Sequence, residues 1–176
     1  AEVFNFDVTE VEIIEEGNKF LGKNGGTATS SDGTVIKANN FEYDKLKNIL
    51  IATGDVKIDD KKENIIITSQ KVTYFKNKEF IFSEGQSQAI NEGIIIDADN
   101  FEYNKITNIT NANGDVKIKD SINDYLILAN DATYYKNLEK IITNGDTEAF
   151  IQSRYIINSK DVTYLHNEKI LSSQHK

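Results

Sequence analysis

Side chains with the chemistry of a catalyst are scarce in this chain of 176 residues. Cysteine is absent, histidine occurs only as His166 and His175, and the only arginine is Arg154, so bases, nucleophiles and oxyanion stabilisers are few. The nearest approach to a nucleophile, base and orienting acid is Ser159, His166 and Asp161. They belong to one extended stretch and the turn after it, with Ser159 and Asp161 on the face of Ile157, and such a stretch does not converge on one reacting atom. His166 reads as a solvated turn histidine. Asp97 and Asp99 flank Ala98 on a shared face, a pairing suited to acid–base work or calcium. The glycine and glutamate that a calcium loop needs at its sixth and twelfth positions do not follow. Residues 59–63 read as a solvated hairpin tip, and Asn108-Ile109-Thr110 as a glycosylation sequon arising by chance. No enzymatic activity, no metal site and no cofactor is expected.

Charge narrows the partners further. Twenty Lys and Arg against twenty-eight Asp and Glu leave a formal charge of −8, the wrong sign for tracking a phosphate backbone, so no nucleic acid is expected. With 39% apolar and 10% aromatic residues, the composition is that of a folded domain. The length supports one sizeable core without cross-links, and a single domain over residues 1–176 is expected. The longest apolar runs, such as Ile65 to Ile67 and Ile94 to Ile96, fall far short of the ~20 residues of a membrane-spanning helix. The first residues, AEVFNFDV, lack an initiating methionine and read as a processed or trimmed end, compatible with a removed signal peptide.

With so little catalytic chemistry, the informative feature is repetition. Ala38-Asn39-Asn40-Phe41-Glu42-Tyr43 returns 60 residues later as Ala98-Asp99-Asn100-Phe101-Glu102-Tyr103, and Gly54-Asp55-Val56-Lys57-Ile58 as Gly114-Asp115-Val116-Lys117-Ile118. Within each 60 lies a half-repeat, Ile-x-small-x-x-apolar-x-Tyr, with apolar steps of +2, +3 and +2. Its copies are Ile36, Ala38, Phe41, Tyr43; Ile67, Ser69, Val72, Tyr74; Ile96, Ala98, Phe101, Tyr103; Ile127, Ala129, Ala132, Tyr134; and Ile157, Ser159, Val162, Tyr164. A degenerate sixth copy is Phe6, Val8, Val11, Ile13. The tyrosines are spaced 31, 29, 31 and 30 residues apart, and a glycine follows each of the first four by eleven residues: Gly54, Gly85, Gly114 and Gly145.

Steps of two mean extended strand, because residues i and i+2 share a face, and Ile, Val, Thr, Tyr and Phe suit a pleated surface. The +3 step predicts a bulge or corner that returns Ile36 and Tyr43 to one side while the strand bends, and each glycine predicts a further bend or close backbone approach. Polar clusters between tyrosine and glycine predict turns. Each half-repeat thus reads as a bent hairpin plus a third short strand. No stretch has helical period and proline is absent, so the chain reads as all-β, with stacked antiparallel strands built from six half-repeats of ~30 residues.

Ile-x-Ala-[Asp/Asn]-x-Phe-x-Tyr, a polar turn and then Gly-Asp-Val-x-Ile resembles the OstA-like (organic solvent tolerance) family of lipopolysaccharide-transport proteins, over nearly the whole chain. Within it the likeness is greatest to the N-terminal periplasmic domain of the LptD type, or to the LptA type. The resemblance implies an OstA-like β-jellyroll enclosing an apolar groove that carries the lipid A acyl chains of lipopolysaccharide toward the outer membrane. It implies a periplasmic location, tethered to the outer membrane as part of a longer chain. Under it the groove is lined by Ile36, Ala38, Phe41, Tyr43, Ile67, Val72, Tyr74, Ile96, Ala98, Phe101, Tyr103, Ile127, Ala129 and Tyr134. From periodicity alone the same side chains equally describe a packed core.

Two further expectations concern the whole chain. A structural or adhesive β-solenoid without a lipid ligand is the competing architecture; against it, a plain solenoid gains nothing from a 60-residue superperiod, whereas two facing walls do. The repeat breaks off where position 175 offers histidine instead of glycine, the pattern of an N-terminal fragment of a longer protein. Strand edges at both ends are unprotected by proline. Another OstA-like protein is expected at the N-terminal edge by strand addition, with weak end-to-end self-association of the isolated chain.

Overall fold

The computed structural model describes residues 3–173 and is all-β in architecture. His175 lies outside the described residues. The chain divides into two compact units, Ala1–Ser87 and Gln88–Lys176. The strands of the first are β1 (Phe4–Ile14), β2 (Lys19–Ser30), β3 (Val35–Ala38), β4 (Asn40–Asp44), β5 (Ile49–Asp60) and β6 (Ile65–Phe75), and β7 (Phe80–Asn91) runs across the division. The second unit continues with β8 (Ile94–Asn104), β9 (Ile109–Asp120), β10 (Tyr125–Tyr135), β11 (Lys140–Asn144), β12 (Thr147–Ile151), β13 (Tyr155–Ser159), β14 (Thr163–Leu165) and β15 (Ile170–Ser172).

The half-repeat differs in one respect from its reading in the sequence. The Gly-Asp-Val-Lys-Ile segment is no third strand. It continues the second strand of the hairpin through a bulge, so β5 runs unbroken for 12 residues against the 11 of β6. The β5–β6 register shifts between Thr53 and Val56, and the β8–β9 register between Asp97 and Asn100. Gly54 sits in the left-handed region with φ +80°, followed by Asp55 at +45°; Gly114 and Asp115 repeat this at +80° and +48°. An extra residue on one strand, turned through positive φ, bends the strand without ending it. The partner strand bends at its own +3 step, and a side chain at Gly54 would press on Asn39 Nδ2 at 2.6 Å, one at Gly114 on the carboxylate of Asp99.

The bend gives each unit two arms, visible as rows of inward side chains across neighbouring strands. In the first unit one arm carries the row Ala28, Ile36, Ile58, Ile67. The other carries Phe20, Tyr43, Leu50, Tyr74. In the second unit the rows are Ile96, Ile118, Ile127, Ala149, Ile157 and Tyr103, Thr110, Tyr134, Ile141, Tyr164. Toward its end the second unit separates its arms into different strands, since β10 pairs with β12 over Tyr125 to Leu128 and with β11 over Asp131 to Tyr135.

The alternation of 31 and 29 also acquires a cause. Between Asp60 and Ile65 the hairpin tip has four residues, whereas between Asn91 and Ile94 it has two; the four-residue form returns between Asp120 and Tyr125. Two residues fewer at every second tip produce the 60-residue superperiod. The long tips are capped by buried carboxylates: Asp60 accepts from the Glu63 N–H at 3.2 Å, and Asp120 from the N–H groups of Ile122 and Asn123, each at 3.0 Å. The stretch 59–63, expected to be a solvated hairpin tip, therefore contains a carboxylate, Asp60, that is 2% exposed.

Candidate functional site: the inner face of the folded sheet

The inner face combines small, aliphatic and aromatic side chains. Near the bend small residues interleave with large ones: Ala38, Ala52, Ser69, Ser83, Ser87, Ala98, Ala112, Ala129, Ala132, Thr143 and Thr147 are all buried, and Phe41 lies opposite Ala52 and Phe101 opposite Ala112. A small residue on one strand leaves room for a ring on the next. Where hydroxyls replace methyls they satisfy one another, as buried polar groups must. Ser83 Oγ donates to Ser87 Oγ at 2.7 Å, and Thr143 Oγ1 lies 2.9 Å from Thr147 Oγ1. Farther out stand Ile36, Ile67, Ile96 and Ile127, and at the rim of the second arm the tyrosines.

All fourteen residues singled out in the sequence are buried on this inner face, and each unit gathers its own set. Leu50, Ile81, Ile118 and Ile141 share the face equally, each 1% exposed or less. Their signal was present in the strand before or after each glycine, where alternation is as regular as in the tyrosine strands. Phe6 opens the degenerate copy, and Phe4, one alternation before it, lies outside the repeat signature. Phe4 lies on the arm of Ala28, yet its ring meets those of Tyr43 and Tyr74 on the other arm at 5.3 and 5.6 Å. Phe6 stacks on Phe20 at 4.2 Å.

The rim tyrosines are neutral hydrogen-bond donors. Burial pushes the phenols of Tyr43, Tyr74, Tyr134 and Tyr164 above their usual range, and a neighbouring carboxylate adds to the effect in each: Asp44, Glu79, Glu139 and Asp120. Burial alone would raise the Asp120 carboxyl. The Tyr164 hydroxyl, the Asn123 side chain and two backbone N–H groups outweigh it and hold Asp120 below the usual carboxylate range.

The residues with catalytic potential do other work. His166 is buried, 8% exposed, rather than solvated; its Nε2 lies 3.4 Å from the Tyr134 hydroxyl and its Nδ1 4.0 Å from Glu139 Oε2. Ser159 receives the N–H of Asp161 at 3.4 Å, a local turn contact. Asp97 accepts from Gln88 Nε2 at 2.9 Å, while Asp99 packs against Gly114.

A sheet folded so that small and aromatic residues interleave at its bend, aliphatic residues line its walls and tyrosines its rim has a counterpart among known proteins. The family described as LptA/(LptD N-terminal domain) LPS transport protein matches residues 35–169. The chain belongs to this family. The OstA-like resemblance read from the repeats is thereby borne out, and with it the all-β jellyroll class. Among solved structures the chain is similar to LptH from Pseudomonas aeruginosa, the LptA-homologous periplasmic component of a lipopolysaccharide transport device. The identity is 14% and the TM-score 0.56, over 62% of this chain and 81% of that one. No curated protein sequence matches the chain. The family is one of lipopolysaccharide-transport proteins.

Proposed function

We propose that this chain is a periplasmic module that carries lipopolysaccharide by its lipid A acyl chains along the inner face of the bent sheet, with a related OstA-like module added as a strand at its N-terminal edge. The observation that carries the reading is the buried inner face of each unit, predominantly apolar from the bend to the rim. Acyl chains gain about 25 cal/mol for each Å² withdrawn from water, and a net charge of −8 leaves the anionic headgroup outside. Membership of the LptA/LptD N-terminal family and the likeness to LptH support the assignment.

The edge supports the partner. β1 pairs only with β2 among the described residues. Val11 lies opposite Gly22 and Ile13 opposite Phe20, so both point to the inner face, and they stand 54% and 64% exposed. An added strand would cover them and continue the apolar lining.

Photo-crosslinking side chains placed singly at Ile36, Phe41, Ile67, Ile96, Phe101 and Ile127 should capture lipopolysaccharide, whereas Lys37, Glu42 and Glu102, on the opposite face, should not. Equal capture from both sets would overturn the reading.

A further inference from the structure

The rim tyrosines form two kinds of hydrogen bond. In the first unit they bond within their own hairpin tip, five residues on: Tyr43 Oη donates to Asn48 Oδ1 and Tyr74 Oη to Glu79 Oε2, each at 2.7 Å. In the second unit they cross to the opposite arm. Tyr134 Oη donates to Asn91 Oδ1 at 2.9 Å and Tyr164 Oη to Asp120 Oδ2 at 2.5 Å. From the other side Tyr125 Oη donates to the Lys169 carbonyl at 3.2 Å, and the rings of Tyr125 and Tyr164 lie 4.9 Å apart. Asn91, Asp120 and Tyr125 belong to tips of one arm; Tyr134, Tyr164 and Lys169 belong to the rim of the other.

One atom is left over by this exchange. Glu139 stands to Tyr134 as Glu79 stands to Tyr74, five residues later and 60 residues along the repeat. Because the Tyr134 hydroxyl has crossed to Asn91, Glu139 Oε2 is buried without a hydrogen-bond partner. A buried carboxylate oxygen without a donor is costly. His166 Nδ1, 4.0 Å away, lies beyond hydrogen-bond reach of it, so this oxygen marks a second acceptor position for the tyrosine hydroxyl, the one that Tyr74 already uses in the first unit.

We propose that the rim of the second unit is a lateral portal for the acyl chains of a phosphorylated lipid, latched by Tyr134 and Tyr164, and that Tyr134 exchanges Asn91 for Glu139 as the portal opens. The inference rests on the transport reading above. Exchange keeps the hydroxyl and the carboxylate satisfied in the open state, so the latch releases without stranding a donor. Closure in the first unit uses the ring of Phe4 against Tyr43 and Tyr74 and has no such substitute partner.

The test uses the 176-residue chain and purified lipopolysaccharide with a fluorescent headgroup, with loading followed by stopped-flow anisotropy. Tyr134→Phe weakens the closed state and should speed loading at least threefold. Glu139→Leu removes the open-state acceptor and leaves the Asn91 bond in place, so it should slow loading at least threefold. A third variant, Asn91→Cys with His166→Cys, joins two positions that both approach the Tyr134 hydroxyl. Bridged after folding by a cleavable bifunctional thiol reagent in a chain otherwise free of cysteine, it should lose loading and recover it on cleavage. Opposite effects of the first two substitutions are not expected from a merely structural role. If the native chain loads lipid and all three variants load at its rate, lipid enters elsewhere and the portal is overturned while the transport reading stands. If the native chain captures no lipopolysaccharide, the transport reading falls and the portal with it.

Discussion

Glycine and aspartate mark the two places where one residue controls the bend and its closure. At Gly114 a side chain would need positive φ and would meet Asp99, so Gly114→Val should destabilise by about 1–3 kcal/mol through local strain. Chemical denaturation measures this, and an unchanged midpoint would mean that the bulge relaxes freely. Asp120 makes a pH-dependent contribution. Its carboxyl is held below the usual range in the folded protein, so the stability it supplies is complete above the unfolded-state value, about 4, and is lost as pH falls through the lower folded value. Asp120→Asn should cost about 1–3 kcal/mol at pH 7, where four donors meet a neutral amide, and the gap should close below about pH 3. A gap that stays constant from pH 7 to pH 3 would contradict the assignment.

At the scale of the element, a strand edge is a row of unpaired backbone groups that natural proteins blunt with charge, bulges or proline. β1 has a bulge between Val8 and Glu10 and acidic residues on its outer face, but Val11 and Ile13 keep its inner side apolar and uncovered. Val11→Lys combined with Ile13→Lys should leave thermal stability within about 0.5 kcal/mol, as expected of exposed positions. It should also abolish concentration-dependent self-association in sedimentation and binding of an OstA-like partner. Phe6 is an unsuitable site for such a test, because its ring stacks on Phe20 and a substitution there would disturb the inner face itself.

For the molecule as a whole, acidity and apolar burial make opposite demands on salt. A carrier that gripped the phosphates of its lipid would lose affinity as ions screen the attraction. A chain of net charge −8 that grips acyl chains repels the headgroup weakly, so raising NaCl from about 0.05 to 0.5 M should hold lipopolysaccharide affinity constant or strengthen it. Fluorescent-lipid titration decides between them, and a tenfold loss would mean that the headgroup dominates.

The amino-acid sequence by itself determined the class, the repeat and the orientation of the side chains. Ile36, Phe41, Tyr43 and their copies are legible because a pleated strand admits only two faces, and a +3 step resets that alternation in only one way. The glycine bulges were legible for the same local reason, since few residues other than glycine tolerate the backbone angles such a bend requires. Tertiary structure alone decided what each tyrosine hydroxyl meets. Tyr74 and Tyr134 occupy one position of the repeat and face one residue type, glutamate, five residues later, yet one bonds to Glu79 and the other crosses to Asn91. The burial of His166 and Asp120 was hidden likewise, because both lie at tips where the local sequence is polar and only the opposite arm excludes water. Local sequence sets which face a residue takes; a contact between residues 43 or 44 apart depends on how far the arms close, and no local pattern encodes that distance.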